Sequence, residues 1–216
     1  LKSVLKGYGE IAYSPLQKGE FNNENINKFE YDQNKAKEEI KKLGWKLGKD
    51  GIYEKNNKKL SFEITANEND TVRVNIAKIA SQQLRDIGVD ANAKIVSEID
   101  WKNQDATIIG WGSPFDPDDH TYKVFSTGQG SNFSGYSNKK VDELLKKARE
   151  STSKEEKLKL YDEFQEEMTK DMPYTFLVYI DAIYVGKDDI QGITENKILG
   201  HHGVGIFNNI TNFSIK

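Results

Sequence analysis

Apolar positions fall into two rhythms along the chain, and the change between them marks out the elements. Leu60, Phe62 and Ile64 alternate with polar neighbours, the period of a half-buried strand. After Asn69 or Asp70, either of which can cap a helix, Val72, Ile76, Ile79, Ala80, Leu84 and Ile87 recur at helical spacing until Gly88 closes the run. Residues 89–96 return to strand. Strand, long helix, strand predicts a right-handed crossover joining two parallel strands. Residues 98–101 then lead to 106–111, where apolar residues follow one another almost without interruption, which predicts a strand covered on both faces of a parallel sheet.

The flanks read as follows. Residues 1–7 suit the end of a helix closed by Gly7, and residues 8–29, rich in Gly and Asn, read as loop. Asp32 caps a helix with Ala36, Ile40 and Leu43 on one face and Gly44 at its end. Trp45 there completes an apolar clasp, and Ile52-Tyr53 between turn residues forms a small hairpin. Past His120, the residues Tyr122, Val124 and Phe125 suit a short helix, and 128–135 reads as a flexible loop. Asn138 caps a helix that buries Val141, Leu144, Leu145 and Ala148. Ser153 and Glu156 form a capping box for another, with Leu158, Tyr161, Phe164 or Gln165, and Met168 inward; the two should cover one side of the sheet. Residues 173–180 read as a strand, with 182–185 placed to pair with it.

Composition narrows the classes. The 216 residues carry a net charge of −3 with 30% charged residues of both signs, which suggests neither a nucleic-acid partner nor an anionic membrane surface. No apolar stretch reaches the roughly 20 residues of a membrane helix. Cysteine is absent, so disulfides and thiol chemistry are excluded.

Candidate chemistry gathers at the carboxyl end of the 106–111 strand, where ligands bind in open α/β sheets. Trp111, Gly112, Ser113, Pro114, Phe115, Asp116 and Asp118 are the candidate ligand-binding residues. The acids admit two readings. Asp116 can cap a helix, with Pro117 in its first position and Asp118 and Asp119 facing the positive end of the dipole. Alternatively, three carboxylates at a helix start repel anions and favour a cationic group, such as the α-ammonium of a peptide.

The same residues carry a resemblance. Gly110-Trp111-Gly112-Ser113-Pro114-Phe115-Asp116-Pro117-Asp118, then Asn132-Phe133-Ser134-Gly135-Tyr136-Ser137-Asn138 and Val141-Asp142-Glu143-Leu144-Leu145, look like the C-terminal lobe of the oligopeptide-, dipeptide- and nickel-binding proteins of ABC importers. Tyr31-Asp32, Leu43-Gly44-Trp45, Gln83-Leu84-Arg85-Asp86-Ile87-Gly88-Val89 and Pro173-Tyr174 extend the likeness over nearly the whole chain. The resemblance implies a periplasmic-binding-protein-like (type II) α/β lobe, with a mixed, mostly parallel sheet flanked by helices. Residues 1–216 are expected to be one such lobe, part of a longer two-lobed protein, with 1–30 as a surface lead-in and 190–216 returning toward the hinge or other lobe. It implies an extracytoplasmic, lipid-anchored monomer that takes a small peptide or similar solute and delivers it to the membrane subunits of a permease. In several peptide-binding relatives the acid that pairs with the ligand amine stands three residues after the Trp. This chain has Pro114 there, which moves the role to Asp116.

No enzyme signature competes with this. Gly-x-Ser-x-Gly, His-Glu-x-x-His and the phosphate-cradling Gly-x-x-x-x-Gly-Lys are all missing, and Gly128-Gln129-Gly130 lacks the third glycine of a dinucleotide fingerprint. No cofactor is expected. The rival readings are a nickel or metal-chelate carrier of the same family, with His120, His201 and His202 as candidate ligands, and a secreted hydrolase.

Overall fold

The structure is a computed structural model that describes residues 2–16, 19–112, 116–193 and 201–216. In chain order the elements are α1 (Lys2–Leu5), β1 (Gly9–Ile11), α2 (Gln33–Lys42), β2 (Lys46–Leu47), β3 (Tyr53–Lys55), β4 (Lys58–Lys59), β5 (Ser61–Asn67), α3 (Thr71–Asp86), β6 (Asp90–Val96) and β7 (Ala106–Thr107). They continue with α4 (Asp118–Phe125), α5 (Lys139–Glu150), α6 (Lys154–Asp171), β8 (Val178–Ile180), β9 (Ile190–Gln191), a 3-10 segment (His201–Asn212) and β10 (Ser214–Ile215). They gather into two compact units. A sheet unit contains Lys2–Lys6 and Glu30–Gly110; a helical unit contains Gly7–Phe29 and Trp111–Lys216.

The sheet unit is built on the expected crossover. Strands lie in the order β6-β5-β7, all parallel, with Ser61↔Asp90 through Asn67↔Val96 in register on one side of β5 and Ile64↔Ala106, Thr65↔Thr107 on the other. Helix α3 starts where Asp70 Oδ1 accepts the Arg73 N–H at 2.9 Å, the N-cap expected of an aspartate there. Its Ala77 packs on Ile64 and Ala66 of β5, with Val74, Ala80, Leu84 and Ile95 around them. The run 106–111 departs from expectation. Only Ala106 and Thr107 are strand, with Ile108 N–H donating to Thr65 O at 2.9 Å, and residues 106–109 are half-buried. Strand β7 stands at the edge of the sheet, so one side of it lacks the cover that a central strand would have.

A three-stranded antiparallel sheet, β2-β3-β4, flanks this core. Its β3–β4 turn carries Asn56 and Asn57 at φ 52° and 61°, the left-handed pair a tight hairpin requires. Gly88 at φ +93° lies so close to Gly51 O that a Cβ would stand 3.0 Å from it, and there its carbonyl accepts the Tyr53 N–H at 2.8 Å. Asp32 caps α2 as expected, accepting from Asn34 and Lys35.

In the helical unit Val124, Phe125, Val141, Leu144, Leu145, Ala148, Tyr161, Phe164 and Met168 form one core, so the buried faces of α5 and α6 meet each other and α4. This corrects the expectation that α5 and α6 cover the parallel sheet: period alone reports which face is buried and not against what. Asn138 and Ser153 cap as expected. Two strand expectations are also corrected. Residues 8–29 contain β1, and of 173–180 only Val178–Ile180 is strand. Its partner is β1, Gly9↔Ile180 to Ile11↔Val178, rather than 182–185. A non-local pairing between three-residue strands leaves no periodic trace in either segment.

Residues 14–23 are fastened to α6 by Gln165, which is fully buried. Its Oε1 accepts from Ser14 Oγ at 2.9 Å and Asn23 N–H at 3.3 Å, and its Nε2 donates to Phe21 O at 2.7 Å and Tyr161 O at 3.1 Å. Gln165→Leu keeps the volume and removes the acceptor of the Ser14 O–H and Asn23 N–H and the donor to the Phe21 carbonyl. It is expected to cost about 3 kcal/mol in denaturant unfolding with helix content unchanged. Burial also pushes the phenols of Tyr136, Tyr161 and Tyr174 up. The folded chain therefore holds protons that the unfolded chain releases above about pH 10. This stabilisation is present in full below that pH and lost above it, so the denaturant midpoint should fall between pH 9 and pH 11, values set around about 10.

Candidate functional site

The loop that follows the sheet unit delivers Trp111 into the helical unit, 37% exposed. Its ring stacks on Phe133, with centroids 6.1 Å apart and planes within 10°, and His120 approaches at 5.8 Å and 47°. Trp111 and Phe133, itself 42% exposed, form a flat aromatic platform at the surface, while His120 on α4 is 9% exposed beside it. Gly112 is half-buried; Ser113, Pro114 and Phe115 lie outside the described residues.

Phe133 is held by Asn132. The Asn132 Nδ2 donates to Ser126 O at 3.0 Å and Tyr136 O at 2.7 Å, and its Oδ1 accepts from Tyr136 N–H at 3.0 Å and Ser134 Oγ at 3.1 Å. One side chain thus ties 126 to 136, which corrects the reading of 128–135 as a flexible loop. Phe133 is the site residue that periodicity passes over. The signal available was an asparagine able to satisfy several backbone groups around an otherwise isolated aromatic.

Each acid of the 116–119 run has a partner within the chain. Asp116 Oδ1 accepts the Asp118 N–H at 2.9 Å, closing the start of α4, with Pro117 at φ −60° between them. Asp118 grips Arg149 of α5 through Nε at 3.0 Å and Nη2 at 2.8 Å, and the Arg149 guanidinium lies 3.9 Å over the Tyr122 ring. The carboxylate beside it holds the Arg149 guanidinium above its ordinary pKa. Asp119 binds Lys123 at 2.8 Å, with His120 Nε2 3.8 Å away. The expectation that Asp116 caps the helix with Pro117 in its first position is corrected: Pro117 is the N-cap of α4, no side chain caps it, and Asp116 stands one residue earlier. Asp118 is a clasp between α4 and α5, and Trp111, Phe133 and His120 are brought together separately, by ring contacts.

Among the described residues no group of three or more His, Asp or Glu side chains is arranged to hold a metal ion. The side chains of His201 and His202 lie outside that set. Cavities of about 330 Å³ beside Glu10, Tyr13, Asn23 and Lys28, and of about 420 Å³ beside residues 98–102 at the carboxyl end of β6, are not lined by Trp111. No helix among the described residues is long and apolar enough to cross a membrane.

The α/β fold with its crossover-built parallel sheet is of the type II periplasmic-binding-protein-like class. Residues 1–133 match the model of the bacterial extracellular solute-binding proteins, family 5, middle region, and the chain belongs to that family. It is 32% identical over 207 residues to the oligopeptide-binding protein AppA of Bacillus subtilis, a match covering 89% of this chain and 38% of that protein. NikZ of Campylobacter jejuni in complex with Ni(L-His) superposes with a TM-score of 0.85 at 37% identity, over 99% of this chain and 45% of that one. B. subtilis AppA in complex with a nonapeptide gives a TM-score of 0.76 at 28% identity, over 100% and 44%. The chain therefore spans about two fifths of the length of these relatives.

Asn132→Ala should release the 126–136 loop and separate Phe133 from Trp111. The expected outcome is a red-shifted tryptophan emission with a loss of about 1–3 kcal/mol in stability, the cost of leaving its buried backbone partners unpaired.

Proposed function

We propose that this chain is one lobe of a longer, lipid-tethered extracellular subunit that captures oligopeptides and passes them, without chemical turnover, to the permease of an ABC importer. The observation that carries the reading is the half-exposed Trp111–Phe133 stack backed by His120. A rigid aromatic face offers area to a peptide of varied sequence at low entropic cost. Family membership and the peptide-bound relative support the same reading. Trp111 supplies the platform, Phe115 and Pro114 further apolar contact, and Gly112 and Ser113 backbone or hydroxyl hydrogen bonds. Asp116, whose Oδ1 accepts the Asp118 N–H, pairs with the ligand amine through its other oxygen; Asp118 steadies the start of α4 through Arg149. Closure of two lobes on a hinge would complete the enclosure.

The 37% identity to a protein in complex with Ni(L-His) favours one second reading, a metal chelate resting on the same platform. His120, whose ring approaches Trp111, is an imidazole that could add a donor to those the chelator brings.

A micromolar ligand requires about 8 kcal/mol, whereas one charge-assisted hydrogen bond supplies roughly 1.5–3. Calorimetry with mixed peptides is therefore expected to give little heat for residues 1–216 alone and a clear signal for the full-length protein, weakened about tenfold or more by Trp111→Ala. Tight binding by the isolated chain would contradict the two-lobe reading, and an unaltered Trp111→Ala would remove the platform. A response to nickel–histidine in place of peptides selects the second reading.

A further inference from the structure

We infer that the lysine-rich surface of the sheet unit, formed by the end of α2 and the β2-β3-β4 ribbon, is a docking face for an anionic lipid bilayer. The net charge of −3 conceals an uneven division. Residues 32–59 hold nine lysines, no arginine and five carboxylates, leaving 22 basic and 29 acidic residues to the rest of the chain. Eight of the nine lysines are exposed, so the excess is displayed to solvent. Three of the carboxylates are used locally: Asp32 caps α2, Glu39 binds Lys42 at 2.8 Å, and Asp50 binds Lys59. Among the described residues Lys41, Lys46, Lys49 and Lys58 have no carboxylate within ion-pair distance.

The register concentrates this charge. Lys55 and Lys58 stand directly opposite each other across β3 and β4, a like-charged pair that weakens a ribbon unless anions answer it. Lys55 Nζ also donates to the Leu43 carbonyl at 2.7 Å, which ties the ribbon to the end of α2. Leu43 and Leu47, on either side of Trp45, are 66% and 59% exposed. Ordinary reasons cover part of the pattern. A helix end favours cations, which suits Lys41 and Lys42, and a lysine guards an edge strand such as β4. Neither reason calls for two bare leucines among the lysines. A bilayer surface answers both features, because lipid phosphates attract the ammonium groups while leucines enter the boundary beneath them. Lysines without arginine, on a surface bordering neither of the cavities described above, suit a diffuse negative field better than a single bidentate partner.

The test does not depend on the nature of the ligand. Full-length protein, freed of any lipid anchor, is sedimented with vesicles of phosphatidylcholine alone or of phosphatidylcholine and phosphatidylglycerol in equal parts, at low and at physiological ionic strength. The anionic vesicles are expected to bind it about tenfold or more tightly at low salt, with the difference shrinking as salt rises. The triple variant Lys46→Gln, Lys49→Gln, Lys58→Gln should lose about tenfold or more of that affinity, since each lysine near an anionic surface is worth roughly fivefold. Its thermal midpoint should stay that of the wild type. A second triple, Lys139→Gln, Lys147→Gln, Lys159→Gln, makes the same change in net charge on exposed lysines of α5 and α6 and should bind as the wild type does. Leu43→Ser should weaken binding about threefold or more at physiological salt. Equal losses in the two triples would reduce the effect to overall charge and overturn the docking face. Equal binding to both kinds of vesicle, no binding at low salt, or a Leu43→Ser variant indistinguishable from the wild type would overturn it as well. Binding confined to phosphatidylcholine nanodiscs that hold the permease, and lost in the first triple, would assign the face to an acidic protein surface and overturn the lipid.

Discussion

Strand β5 is hydrogen-bonded along both edges, and the arrangement of the sheet unit follows from that one constraint. Seven residues are in register with β6 and two with β7. The central strand must then satisfy both faces as well as both edges, and Ile64, Thr65 and Ala66 are buried in succession. Small residues matter as much as large ones. Ala66, Ala77 and Ala91 are fully buried, which allows α3 to lie against the strands without a gap. Because all three strands run the same way, their carboxyl ends finish together, and the residues that follow β5 and β7 are brought side by side. Arg73 and Gly110, far apart in sequence, become neighbours through this register.

The helical unit is organised on a different principle, in which polar side chains with several hydrogen-bonding atoms tie irregular backbone to regular helices. Gln165 does this for residues 14–23 and Asn132 for 126–136. Both are amides, which offer donors and an acceptor at one short distance from the backbone. A loop so fastened can carry an exposed aromatic ring in a fixed orientation, and a stacked pair such as Trp111 and Phe133 depends on such fastening.

Much of this was legible in the sequence where the signal is local. The caps at Asp32, Asp70, Asn138 and Ser153, the crossover from β5 through α3 to β6, and the helical stripes of α5 and α6 all follow from spacing and from what a short side chain can accept. Long-range partners were not legible. The antiparallel pair β1–β8 joins residues about 170 apart by a rung pattern too short to show a period. The acids at 116–119 stood out as a cluster, yet the cations that answer two of them, Lys123 and Arg149, are ordinary members of helical surfaces until the fold brings them close. Trp111 stood out in the sequence, and its partner Phe133 did not, since stacking is a relation between rings and no single position announces it.

The pairing of those acids has a kinetic consequence. With Asp118 answered by Arg149 and Asp119 by Lys123, those two pairs contribute little net field at distances beyond a Debye length, about 8 Å in physiological salt. Neither pair would steer an arriving guest of either sign, so neither would make the rate of its arrival depend much on ionic strength. As far as these pairs act on it, discrimination among guests would then be expressed in how long each one stays.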